Sequence, residues 1–137
     1  MLLLISSLLL MSCGADKYMK KGEKFLALGE YYDAAYQFKQ AYTRTPVKER
    51  DTRGKRALKM AQCYQRINAT PKAIAAYRNA IRYNQASKED QLAYARQLLK
   101  NGDYRQAEKV FLMLKDSMPG NHLIANELKS AHLASDW

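Results

Sequence analysis

Lys55, Lys59, Gln62 and Arg66 are spaced 4, 3 and 4 residues apart, which on an α-helix places them on one face as a single cationic stripe. Such a stripe can bind anions, but no nucleophile or general base stands beside it. The residues that could do more are few. His122 and His132, the two histidines, are ten residues apart, roughly three helical turns, too far to share a metal ion as a pair four apart can. Cys63 sits in the apolar helical pattern "KMAQCY" and reads as a small buried hydrophobe. Cys13 closes an N-terminal apolar run. There is no Gly-rich phosphate loop, nucleophile elbow or paired-cysteine motif. These residues imply no catalytic site, no metal and no cofactor. The chain is expected to bind and not to catalyse.

The stripe needs a helix to carry it. Tyr31, Ala34, Ala35, Phe38, Ala41 and Tyr42 recur at helical spacing, as do Tyr104, Ala107, Phe111, Leu114 and Met118. The phrase "GEYYDAAYQFKQAYTRTP" (residues 29–46) returns as "GDYRQAEKVFLMLKDSMP" (102–119), with a degenerate copy, "NATPKAIAAYRNAIRYNQ", at 68–85. Ala73 and Ala107 are 34 apart. The pattern resembles the tetratricopeptide repeat, a 34-residue helix–turn–helix. Repeat one (15–48) supplies Tyr18, Gly22, Phe25, Gly29, Tyr31, Ala34, Phe38, Ala41 and Pro46 at the consensus positions. Repeat two (54–87) supplies Ala57, Ala61, Tyr64, Asn68, Thr70, Ala73, Tyr77 and Ala80, with Gln85 in place of the usual proline. Repeat three (88–121) supplies Ala95, Leu98, Gly102, Tyr104, Ala107, Phe111, Leu114 and Pro119.

This resemblance implies an all-α, right-handed tetratricopeptide (TPR) solenoid of three helix–turn–helix repeats, since one such unit cannot bury its apolar face alone. Residues 122–137 form a further amphipathic segment, with Leu123, Leu128, Ala131 and Leu133 as its apolar positions. It is expected to cap the array or to lead into a further domain. Thr70-Pro71 looks like an N-cap followed by proline at the first helical position. Pro46 and Pro119-Gly120 are expected to stop their helices. Tyr18, Tyr31, Tyr64, Tyr77 and Tyr104 occupy packing positions and are expected in the core. Between repeats one and two the spacing is 39 (Ala34 to Ala73). The extra residues, 49–53, are polar, and would add either a turn to the second A helix or length to the loop.

In TPR proteins the first helix of each repeat, helix A, lines a groove. The corresponding positions here are Lys55, Leu58, Lys59, Gln62, Gln65 and Arg66 in repeat two, and Glu89, Leu92, Ala93, Arg96, Leu99 and Lys100 in repeat three. The resemblance thus implies a groove in which Lys55, Lys59, Gln62, Arg66, Arg96 and Lys100, flanked by Leu58, Leu92 and Leu99, receive an acidic segment. One TPR subfamily clamps the C-terminal carboxylate of chaperones with Lys and Asn in its first repeat. This chain has Met19 and Glu23 at those positions, so the clamp itself is not expected.

The formal net charge is +10, and it is unevenly placed. Residues 15–48 hold seven basic and four acidic residues, 49–87 nine and two, and 88–137 seven of each. The middle repeat therefore carries the excess, which points to an acidic partner. An N-terminal export signal argues against nucleic acid.

That signal is the uncharged, leucine-rich stretch of residues 1–12, too short to span a bilayer. It ends in Leu10-Met11-Ser12-Cys13-Gly14, which resembles a bacterial lipobox, although no Lys or Arg precedes the apolar run. The resemblance implies cleavage before Cys13, diacylglycerol on its sulfur and acylation of its new amino end, which makes residues 13–14 the lipid-anchor site. Several acyl chains anchor stably where one is marginal. It would leave Cys63 without an intrachain partner and, by implying a bacterium, discounts the glycosylation triplet at Asn68. A lipobox followed by three TPR units and "NELKSAHLASDW" is similar to the N-terminal region of Bacteroidetes OmpA-family lipoproteins of the type IX secretion system, the PorE-like family. That likeness implies a Gram-negative outer-membrane lipoprotein facing the periplasm. Its array would dock a secretion-machine component, and peptidoglycan would be bound by a domain beyond Trp137. Two other readings stay open: an assembly adaptor of the BamD kind, and direct binding of an acidic cell-wall polymer by the basic middle repeat.

Overall fold

The computed structural model describes the backbone of residues 2–137 and the side chains of residues 14–137. The expected signal segment and Cys13 fall outside the described side chains. Among the described residues the chain is helical without strands, in the order α1 (Leu2–Ala27), α2 (Tyr31–Thr43), α3 (Arg50–Arg66), α4 (Thr70–Arg82), α5 (Lys88–Lys100), α6 (Tyr104–Ser117) and α7 (His122–Ser135). The helices fall into two compact units, Met1–Gln85 and Ala86–Trp137.

One turn chemistry joins the two helices of each repeat. At the end of α1, Gly29 takes a positive φ of 74°, and the Glu30 amide donates to the Phe25 carbonyl at 3.0 Å while the Gly29 amide donates to Leu26. The same double bond closes α3 around Asn68 (φ 58°) and α5 around Gly102 (φ 85°). It is the Schellman motif, which satisfies otherwise orphaned carbonyls and requires a residue tolerant of the left-handed region. Each turn runs straight into the next helix, so Glu30, Ala69 and Asp103 become N-caps without a side-chain cap bond. This corrects the expected cap at Thr70. Ala69 is the cap, Thr70 is already helical and buried, and Pro71 follows it. The turn's geometry places the helix start one residue early. Where repeat two lacks its proline, Asn84 (φ 56°) ends α4 by the same motif, with the Gln85 amide bonded to Ala80 at 2.9 Å.

In the first unit, small residues let the paired helices approach. An added Cβ on Gly22 would lie 2.5 Å from the Phe38 ring. Phe38, Tyr77, Ala34, Ala41, Ala61, Ala73 and Ala80 are almost completely buried. A fully buried Phe contributes on the order of 2–3 kcal/mol, so Phe38 is a main support of the α1–α2 pair. The residues inserted between repeats lengthen the helix: α3 has 17 residues where α4 has 13. The second unit packs Leu98, Phe111, Leu114, Ile124 and Ala131 between α5, α6 and α7. Its first helix opens with a capping box in which Ser87 and Asp90 satisfy each other's amides.

Two expectations need correction in this unit. The inward face of α7 carries Ile124, Leu128 and Ala131, while Leu123 and Leu133 are exposed. A three-helix unit covers only one side of its last helix. Tyr104 is also exposed. It shares a cleft with Ala134, Ser135 and Trp137, small or terminal neighbours that leave its ring uncovered.

Candidate functional site

The cationic stripe is real as a helix face, but it is already partly engaged. In the first unit, Lys55 and Arg66 are exposed and Leu58 and Lys59 half-buried along α3, with Gln62 exposed between them. Lys59 Nζ lies 3.0 Å from Glu23 Oε1 of α1. Arg66 stacks 5.1 Å over the Tyr31 ring of α2. Lys55 has no ion-pair partner among the described residues. Arg56, next to the stripe, bonds Asp16 at 3.2 Å and donates to the buried Thr45 hydroxyl. Thus two acids of α1, Asp16 and Glu23, both turn to cations of α3.

In the second unit the pattern recurs between α5 and α7. Arg96 grips Glu127 through both carboxylate oxygens, at 2.5 and 3.2 Å. Lys100 is exposed, Leu99 half-buried and Leu92 buried. Exposed ion pairs contribute only about 0–1 kcal/mol. Lys59 can therefore exchange Glu23 for an incoming carboxylate at small cost. Arg96, held by a two-pronged bond, exchanges less readily.

Sequence reading missed where a further part of the positive charge goes. Five cations lie over tyrosine rings, all in the first unit: Arg44 on Tyr18, Arg50 on Tyr83, Arg53 on Tyr42, Arg66 on Tyr31 and Lys72 on Tyr64, at 4.3–5.8 Å. Such contacts average about one per 70–80 residues, so five in one unit take up a sizeable part of its positive charge. Arg53, in the inserted turn, also donates to the Thr45 carbonyl at 2.7 Å and fastens the loop after α2. Burial works against its charge, but bonding to Tyr83 and Tyr42 outweighs that and raises its pKa. The same bond from Arg53 lowers that of the Tyr83 phenol. The available signal was the abundance of both residue types in one stretch: the insertion arginines Arg50 and Arg53 meet Tyr83 and Tyr42, and the repeat-position tyrosines Tyr18, Tyr31 and Tyr64 meet Arg44, Arg66 and Lys72.

The groups with reactive potential are quiet. Cys63 is 1% exposed, and burial pushes its thiol up to about 11. His132 lies 2.9 Å from Glu108 and 3.5 Å from Asp136 on the second unit, and the bond to Glu108 raises its pKa above 6.5. His122 is exposed at the start of α7. Among the described residues no three His, Cys, Asp or Glu side chains could hold a metal ion, and no helix is long and apolar enough to cross a membrane.

This is the fold of tetratricopeptide-repeat domains: all-α, built of repeated helix–turn–helix pairs with an additional C-terminal helix. The first TPR domain of Spaghetti (RPAP3), solved bound to the HSP90 peptide SRMEEVD, superimposes with a TM-score of 0.69 at 18% identity, covering 92% of this chain and 96% of that one. The second TPR domain of human RPAP3, in complex with the HSP70 peptide SGPTIEEVD, gives 0.67 at 15% identity, covering 91% and 98%. The TPR2B domain of yeast Sti1, in a complex with pHsp70, gives 0.64 at 14% identity, covering 88% and 98%. No protein-family model matches the chain, and no curated protein matches it.

Proposed function

We propose that the chain is a non-enzymatic docking scaffold that receives an acidic protein segment on the cationic face of α3 in the first unit, with α5 offering a face of the same kind within the second unit. The observation that carries this reading is the TPR fold, which the chain shares with domains solved with acidic peptides, together with the exposed cations Lys55, Arg66 and Lys100 on its own A helices. The binding mode differs from a carboxylate clamp. Met19 and Glu23 stand where that clamp needs Lys and Asn, and Glu23 is committed to Lys59. A partner carboxylate competes with Glu23 for Lys59 and finds Lys55 open.

In the finer form of this proposal the scaffold is held at a Gram-negative outer membrane by acylation of Cys13, faces the periplasm, and docks a type IX secretion component. Peptidoglycan would be held by a domain outside this chain. The lipobox and the likeness of its surroundings to PorE-like lipoproteins support that form. The basic middle repeat favours a second reading, capture of an acidic cell-wall polymer.

The test is retention of envelope proteins from detergent extracts by the wild-type chain and by Lys55→Glu/Arg66→Glu. These two positions leave the Lys59–Glu23 and Arg96–Glu127 pairs intact. Discrete proteins held by wild type and lost by the variant support docking. Equal retention by both removes α3 from the site. Recovery of cell-wall material alone, released by salt, favours the polymer. Cys13→Ser is expected to move the protein from the membrane fraction to the soluble one.

A further inference from the structure

A second recess lies in the first unit, on residues the groove does not use. It is a notch of about 90 Å³ lined by Tyr32, Ala35, Tyr36 and Lys39 of α2, by Tyr64 and Ile67 at the end of α3, and by Lys72 at the start of α4. No α1 residue lines it. On α3, Tyr64 stands about 180° around the helix from Lys55 and about 160° from Gln62, at about 100° per residue, so the notch faces away from the cationic stripe.

Its floor and rim differ in chemistry. Ala35 and Tyr64 are buried, which makes the floor apolar. Tyr32 and Tyr36 are 72% and 55% exposed, though nearby tyrosines such as Tyr77 fill the core. Lys39 and Lys72 are both exposed, and no acidic residue lines the notch. Among the described residues no hydrogen bond engages the Tyr32 or Tyr36 hydroxyl, and Lys39 has no ion pair. Lys72 is steered by its stack on Tyr64, 5.8 Å away. Exposed tyrosines around a recess with a desolvated floor are the composition of binding hot spots.

We propose that this notch is a second docking site, independent of the groove, for an acidic peptide segment that carries an aliphatic side chain beside a carboxylate. The volume admits one short aliphatic side chain, which would rest on Ala35, Ile67 and the Tyr64 ring. Lys39 and Lys72 then meet the flanking carboxylates, and the Tyr32 and Tyr36 hydroxyls can donate to the peptide backbone. A recess with a buried floor suits a single inserted side chain, whereas a lipid surface would need a protruding or flat face.

The test titrates the full chain, in detergent micelles, with a fluorescein-labelled peptide of alternating Asp and Leu, read by anisotropy. A peptide of alternating Lys and Leu and anionic phosphatidylglycerol vesicles serve as comparison ligands. All substitutions fall on exposed positions, and circular dichroism verifies the fold of each variant. Lys39→Glu/Lys72→Glu and, separately, Tyr36→Ser are expected to weaken the Asp–Leu peptide at least tenfold. Lys109→Glu, an exposed charge outside both the notch and the stripe, is expected to leave it unchanged, and the Lys–Leu peptide is expected not to bind. Equal affinity in wild type and both notch variants overturns the proposal, as does an equal loss on Lys109→Glu. Vesicle binding that is stronger than peptide binding and falls in the same variants replaces the peptide with a membrane surface, and also overturns it.

Discussion

At the scale of single residues, the cost of change depends on what a side chain meets. Gly22 faces the buried Phe38 ring so closely that a methyl group has no room. Overpacking costs about 1–3 kcal/mol, against a helix-propensity gain of about 1 kcal/mol for Ala over Gly. Gly22→Ala is therefore expected to lower the thermal midpoint, and Phe38→Leu in the same chain to recover part of the loss. Full additivity of the two changes in the double mutant would show that they do not share the clash. Cys63 illustrates the opposite case, a group silenced by its surroundings. With its thiol buried and its pKa near 11, it is expected to resist a thiol-directed reagent at neutral pH and to react at once in denaturant, because only the thiolate attacks.

At the scale of elements, the turns and the last helix carry the argument. Gly29 has open space around it but a φ of 74°, so Gly29→Ala meets conformational strain of about 1–2 kcal/mol and no clash. Unlike Gly22→Ala, it is expected to gain nothing from Phe38→Leu. Helix α7 is held to α6 partly by His132, whose pKa is raised by Glu108 and by Asp136. A raised folded-state value means that the stabilisation is complete below the ordinary value of 6.5 and disappears as pH climbs through the folded-state value. His132→Gln is accordingly expected to lower the melting temperature at about pH 5 and to have little effect at about pH 9. An effect of the same size at both pH values would assign the histidine a packing role alone.

At the scale of the whole molecule, the net charge of +10 is the dominant property. Part of the first unit's share is folded onto tyrosine rings or paired with α1, and only what is left over can meet partners. Charge-only association between exposed groups is screened over about 10 Å at 0.1 M salt and about 3 Å at 1 M. Binding of a cell-wall polyanion is thus expected to collapse between about 0.1 and 1 M salt. Docking of an acidic segment with apolar anchors is expected to weaken and persist. A titration at both salt concentrations separates the two modes.

The sequence alone determined the helix pairs and their core. A residue that must be small, large or left-handed leaves a mark at a fixed position, as at Ala34, Phe38 and Gly29, and the mark returns after 39 residues and again after 34. It also determined the cationic stripe, because helical spacing is a local property. It could not decide what each cation would meet. Whether Lys59 faces solvent or Glu23, whether Arg66 is free or lies on Tyr31, and whether Arg96 is held by Glu127 depend on which side chains from other helices stand within a few ångströms. Nor could it place Tyr104, Leu123 and Leu133, whose types suit a core but whose helices have no covering neighbour on that side. The notch at Tyr32 and Tyr36 was illegible for the same reason. Its lining comes from three helices, and only packing brings them together.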